Sequence, residues 1–131
     1  MKDKLFKPTN AELEILKIVW ENGPSTVKFV NEKLNENRLV GYTTTLKTMQ
    51  IMFEKELLGR DRSGRSHTYK ALRKENETKS LMVDKILDSI FGGSASKLVM
   101  HALTSSKTSV EERAEIKKFI ENMEGEENGN T

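Results

Sequence analysis

The sequence contains no cysteine among its 131 residues. This excludes disulfides, thiol catalysis and thiolate metal sites, and it fits a reducing, cytoplasmic setting. No stretch approaches the roughly 18 consecutive apolar residues that a membrane span requires, so no membrane partner is expected. The opening MKDKLFKPTNAELE is charged and has no apolar core segment, so no signal peptide is expected either. Histidine occurs twice, at His67 and His101, in different expected domains. Gly-rich phosphate loops, nucleophile elbows and HExxH motifs are all missing. No catalytic residue, cofactor or metal ligand is therefore assigned. The one conceivable metal arrangement is a site between two copies that combines these histidines with carboxylates.

What the chain does contain is charge, at 32% of residues against 35% hydrophobic. The net charge is only +2, but it is unevenly spread. Through Leu72 there are 13 Lys/Arg against 9 Asp/Glu, and from Arg73 onward 9 against 11. The densest basic stretch runs from Lys55 to Lys74 and holds Lys55, Arg60, Arg62, Arg65, Lys70, Arg73 and Lys74, opposed only by Glu56 and Asp61. A local basic cluster on a nearly neutral chain suggests a face directed at a polyanion. The competing reading is a solvated surface.

Thr9-Asn10-Ala11-Glu12 matches a capping box, which predicts a helix from Thr9 to about Glu21. Leu13, Leu16, Val19 and Trp20 share one face, and Ala11, Ile15 and Ile18 form a second stripe, so two-sided burial is expected. Asn22-Gly23-Pro24 ends the helix. A second helix fits Thr26 to about Asn35, with Val27, Val30 and Leu34 inward. A third is expected over Thr44 to Leu57, with Leu46, Met49 and Phe53 inward, extended by Tyr42 if it begins early. Its outward side then carries Thr44, Lys47, Thr48, Ile51 and Lys55. A hairpin follows, turning at Ser63-Gly64, with Tyr69 and Ala71 on one side and Lys70 and Leu72 on the other. Three helices and a basic-tipped hairpin are the order of a winged helix-turn-helix.

Beyond a polar junction at Lys74 to Thr78 lie three more helical patterns, at residues 80–91, 95–104 and after Ser109-x-x-Glu112, a second capping box. From Gly125 the sequence reads as a frayed tail. The expected protein is mainly α: a winged unit over 1–73, a three-helix unit over 74–125 and a disordered tail over 126–131. Fifty residues in short helices form a small core for so many large apolar side chains. Burial against a second copy solves this, and makes Ile86, Ile90, Leu98, Val99, Leu103, Ile116, Phe119 and Ile120 the candidate dimerisation residues. Packing back onto the first domain is the alternative.

The stretch GYTTTLKTMQ places three β-branched threonines at the start of a helix, where they cost helix propensity. A helix in the major groove meets base edges mainly with its amino-terminal residues. Short side chains there allow close approach, threonine hydroxyls reach phosphates or bases, and methyls pack on thymine. One threonine as an N-cap and the others as filler is the plain alternative. The candidate DNA-contact set is Thr43, Thr44, Thr45, Lys47, Thr48 and Ile51 on the helix, Lys55 at its end, and Arg60, Arg62, Arg65 and His67 on the hairpin. A helical protein-interaction module without DNA binding would explain the apolar tail helices but not this row or the basic hairpin.

PTNAELEILKIVWENGPSTVKFV and GYTTTLKTMQIMFEKELLGRDRSGRSHTY resemble the penicillinase-repressor family of bacterial transcription regulators, which includes β-lactamase, methicillin-resistance and copper-responsive repressors. The resemblance covers nearly the whole chain. It is most specific at Ala11-Glu12-Leu13-Glu14, Trp20-Glu21, Tyr42-Thr43-Thr44 and Gly64-Arg65. It implies a homodimeric repressor of inverted-repeat operators in double-stranded DNA, with TACA/TGTA-like half-sites and interlocked carboxy-terminal helices. It further implies control of an antibiotic-resistance gene or a metal- or stress-response gene. In β-lactam-responsive members a sensor-linked protease cuts the dimerisation domain. Ser96-Lys97-Leu98-Val99-Met100 matches that region, which makes Met100, His101 and Ala102 the possible cleavage region, although His101-Ala102 replaces the family's Asn-Phe pair. The cysteine-rich copper tail is absent. Glu56 stands where the family usually has glycine after the third helix, so either the turn differs or a non-glycine at positive φ costs roughly 1 kcal/mol.

Overall fold

The computed structural model describes residues 8–105 and 108–129. The charged segment 1–7, Ser106 and Lys107 of the connection before the last helix, and tail residues 130 and 131 lie outside the described residues. The order of elements is α1 (Asn10–Asn22), α2 (Val27–Leu34), α3 (Tyr42–Glu54), β1 (Leu58–Ser63), β2 (Ser66–Ala71), α4 (Glu75–Ile90), α5 (Ala95–Thr104) and α6 (Val110–Gly129). It is a mainly α chain with a winged helix-turn-helix at its amino end.

Local chemistry sets the helix ends. The Glu12 backbone N–H donates to Thr9 Oγ1 at 3.2 Å and Thr9 N–H donates to Glu12 Oε1 at 2.8 Å, so the capping box is complete. Thr26 caps α2 through its hydroxyl, which accepts from Phe29 N–H at 3.1 Å. The carboxyl end of α3 closes as a Schellman motif: Leu57 N–H bonds Met52 O at 2.9 Å and Glu56 N–H bonds Phe53 O at 3.1 Å. That motif needs a left-handed residue, and Glu56 supplies it with φ 63°, the only positive φ among the described non-glycine residues. The turn is thus the one the family builds with glycine, and Glu56 bears the strain.

The two strands pair antiparallel with Ser63 opposite Ser66, which leaves Gly64-Arg65 as the turn. This is one residue later than the sequence suggests. Gly64 has φ 69°, and a glycine at positive φ in the first central position is the arrangement of a type II′ hairpin. Ser25 adds a short third rung, exchanging both backbone hydrogen bonds with Tyr69 at 2.8 and 2.9 Å.

The core gathers Ile15, Leu16 and Val19 of α1, Val27, Val30 and Leu34 of α2, Met49 and Met52 of α3, and Leu57, Leu58 and Tyr69 of the wing. Each such side chain contributes roughly 1.5–3 kcal/mol by leaving water. In α1 the buried positions merge into one broad face, and Ala11 is exposed rather than part of a second stripe. In α3 the buried face is Thr45, Met49 and Met52, not Leu46, Met49 and Phe53. Leu46 and Phe53 are half-buried, and Tyr42 is exposed. The helix is turned by about one residue because Thr45 can go inside with its hydroxyl satisfied, as described below.

The chain divides into two compact units, one through Met82 and one from Val83. The boundary falls inside α4 rather than at 73/74. Thr78 is buried and Leu81 packs on the winged core, so the first turns of α4 belong to the first unit. Trp20 helps to hold this junction, with Nε1–H donating to Arg73 O at 2.9 Å. In the second unit, α5 and α6 contain no buried residue. α6 continues as helix through Gly129, past the expected start of a frayed tail. Its terminal residues include Glu124, Glu126 and Glu127, and glutamate is a good helix former, so the single Gly125 does not stop it. No helix among the described residues is long and apolar enough to cross a membrane.

Candidate nucleic-acid interface

The turn between α2 and α3 is held by two asparagines. Asn31 Nδ2 donates to Val40 O at 3.0 Å and to Thr45 Oγ1 at 2.8 Å. Asn35 Oδ1 accepts from Val40 N–H at 3.1 Å, and its Nδ2 donates to Val40 O at 2.8 Å. Arg38 makes a forked bond to the Glu14 carboxylate at 2.8 and 3.3 Å. The loop that delivers α3 is therefore fixed at its base and on its flank. The sequence alone does not single out these three side chains. An Asn at i and i+4 before a loop is a weak signal, because asparagine serves many turns.

Among the candidate contacts, this network engages Thr45. It is buried, and its hydroxyl accepts from Asn31 and donates to Gly41 O at 3.3 Å. The outward stripe consists of Thr44, Lys47, Thr48 and Ile51, spaced by three and four, with Thr43 beside them. Thr43, Thr44 and Lys47 are exposed, Thr48 is half-buried and Ile51 is 41% exposed. Thr48 Oγ1 donates to Thr44 O at 2.8 Å, which leaves its lone pairs able to accept. Gln50 is also exposed on this side, one turn beyond Lys47. Gly41 caps α3 without a side-chain acceptor.

Two cations of the candidate set are engaged within the protein. Lys55 Nζ lies 2.7 Å from Glu12 Oε1 instead of pointing away from α3. The Arg60 guanidinium stacks over the Phe53 ring, with Cζ 4.1 Å from its centroid. Burial of most of the glutamate drives the first contact, and the half-buried aromatic drives the second. Arg62 and Arg65 remain exposed at the wing tip. His67 is half-buried, opposite Arg62 in the ladder and edge-on to Tyr69 at 6.5 Å, and its Nδ1 is buried without a partner. Lys70 lies on the other side of the ribbon, 3.7 Å from Asp61 Oδ2. No group of three or more potential metal ligands forms among the described residues.

A sequence profile described as Penicillinase repressor matches residues 8–122, most of the chain. The chain belongs to the penicillinase repressor family. Penicillinase repressors are transcriptional regulators, not enzymes, and this one is a winged-helix repressor. It is 29% identical over 100 residues to Transcriptional regulator BlaI of Mycobacterium tuberculosis strain CDC 1551 / Oshkosh, covering 75% of this chain and 72% of the relative. Transcriptional regulator BlaI of strain H37Rv matches with the same figures. Among solved structures, transcriptional regulator Tm0710 from Thermotoga maritima matches with a TM-score of 0.54 at 17% identity, covering 98% of this chain and 83% of that one, a likeness of fold alone.

The dimerisation candidates are brought together only as a set of uncovered apolar groups. Ile86, Ile90, Val99, Phe119 and Ile120 are exposed, and Leu98, Leu103 and Ile116 are half-buried. Met100, His101 and Ala102 are exposed within α5, where the His101 ring packs against Phe91 at 6.0 Å.

Proposed function

We propose that this repressor acts as a homodimer on an inverted-repeat operator with TACA/TGTA-like half-sites, each protomer placing α3 in a major groove. Thr43, Thr44, Thr48 and Ile51 meet base edges and sugars, and Lys47 neutralises phosphate. Arg62, Arg65 and His67 carry the wing along the backbone. The observation that supports this most is the single outward stripe of short polar and methyl-bearing side chains on α3, on a helix whose buried face is complete without them. Such a row fits close approach to a groove and gives no stability to the isolated domain.

The second unit supports the homodimer. Ile90 is 71% exposed and Phe119 65%, and no residue of α5 or α6 is buried. A helical unit with no interior of its own needs a partner surface, and a second copy supplies a matching one. The controlled gene is an antibiotic-resistance gene or a metal- or stress-response gene. Release follows loss of this seam. A sensor-linked protease acting near Met100-His101-Ala102 would achieve it, and would first have to open α5, whose peptide bonds there are helical.

A salt titration of duplex binding tests the reading. Three cations in each of two protomers, Lys47, Arg62 and Arg65, give an expected slope of log K against log salt of about −5. A flat response would overturn it.

A further inference from the structure

Glu12 is only 4% exposed, and its Oε1 receives two donors, the Thr9 backbone N–H at 2.8 Å and Lys55 Nζ at 2.7 Å. The first bond closes the capping box of α1. The second comes from the C-cap residue of α3, 43 positions away in the chain. One carboxylate thus ties the beginning of α1 to the end of the groove-reading helix. From these contacts we infer that Lys55 is a positioning residue for DNA recognition, acting through Glu12, and not a phosphate ligand. The inference rests on the DNA-binding reading above.

The electrostatics favour this assignment. The Lys55 side chain is 34% exposed, so its ammonium is partly withdrawn from water, while the Glu12 carboxylate is almost wholly withdrawn. Moving Lys55 to a phosphate would exchange one ion pair for another and leave a buried carboxylate without its counter-charge. The exchange loses. Lys47, exposed in the middle of the outward stripe, carries no such debt.

Geometry supplies the reason for a clamp at this place. Lys55 follows Thr44 by eleven residues, roughly 16 Å along a helix axis. Tilting α3 by about 5° around its carboxyl end would move Thr44 by roughly 1.4 Å over that length. A displacement of that size separates a good base-edge hydrogen bond from none. The Asn31 and Asn35 network fixes the amino end of α3 against α2, and the Lys55–Glu12 pair fixes the other end against α1. Two separated anchors set the angle of a helix, which a single one cannot.

The test uses the full-length protein and the best duplex it selects from a randomised pool, with a shuffled duplex as control. Lys55→Met is expected to lower affinity for the selected duplex roughly tenfold, within the range of one lost base contact, and to leave the salt slope at the wild-type value. Lys55→Arg is expected to restore affinity. A slope smaller by about 0.9 per protomer would make Lys55 a phosphate ligand and overturn the inference. Unchanged affinity at unchanged slope would overturn it as well. Limited lysine acetylation read by mass spectrometry requires no variant, so it decides the matter even if Lys55→Met does not fold. Lys55 should react slowly with and without the duplex, while Lys47 should react quickly when free and slowly when bound. Lys55 reacting like Lys47 would overturn the assignment. A wild-type protein that selects no duplex would instead remove the DNA-binding reading itself, and this inference with it.

Discussion

Asn31 Nδ2 donates to Thr45 Oγ1 at 2.8 Å, inside the turn that separates α2 from α3. Of the three consecutive threonines, one therefore serves the fold and its neighbours face outward. Thr45→Val keeps the shape but removes the acceptor. It is expected to lower stability by about 1–2 kcal/mol, the cost of leaving an amide donor unpaired. Discrimination between operator and random duplex should stay near wild type. Urea denaturation and duplex binding on the same variant check the two halves, and a loss of discrimination without a loss of stability would return Thr45 to the interface.

Thr44→Ala and Thr48→Ala should do the reverse. Each is expected to reduce preference for the operator by about 1–3 kcal/mol if its side chain meets a base. Arg65→Ala at the wing tip should weaken operator and random duplex by similar factors, because a phosphate contact carries no sequence information. Parallel titrations on both duplexes separate these cases. Threonine variants that behave like the arginine variant would remove them as base readers.

Glu56 occupies a left-handed position that the Schellman closure of α3 demands. Glu56→Gly removes the Cβ clash and is expected to stabilise the winged unit by about 1 kcal/mol. The denaturation midpoint should rise with the slope m unchanged. A lower midpoint would mean that the glutamate's own contacts outweigh its backbone strain.

Phe119 distinguishes a lone chain from a dimer. On an exposed surface Phe119→Glu would change stability by no more than about 0.5 kcal/mol. In an apolar seam the same substitution buries unpaired charge in both copies. Light scattering is expected to report a monomer, and operator affinity should fall because two half-sites are no longer engaged together. A variant that remains dimeric would locate the contact away from Phe119.

Much of the architecture is legible in the sequence because helix ends and turns are decided by neighbours. Thr9 with Glu12, Thr26 and Gly23 mark their boundaries within a few residues, as capping chemistry acts over three or four positions. The apolar spacing of Val27, Val30 and Leu34 declares the buried side of α2 in the same local way. The order of helices and hairpin follows from such signals, and the family from the resemblance of whole stretches such as Tyr42-Thr43-Thr44 and Gly64-Arg65. α6 runs past Gly125 to Gly129 because a single glycine among glutamates is only a weak breaker.

Which basic and hydroxyl groups face outward was decided only in three dimensions. Lys55 looks like an outward cation by helical angle alone, yet its counter-charge lies 43 residues upstream. Thr45 looks equivalent to Thr44 until Asn31, fourteen residues earlier, supplies a donor that lets a hydroxyl be buried. Arg60 finds the Phe53 ring only after the wing folds beside α3. Composition and period specify where a side chain sits on its own element. The partner that satisfies a charge or hydroxyl comes from another element, and packing alone determines that element's position. The sequence by itself determined a mainly α winged helix-turn-helix chain with a threonine-rich helix and a basic wing, and its resemblance to the penicillinase repressor family. The tertiary structure decided which of those hydroxyls and cations are exposed and which are engaged within the protein.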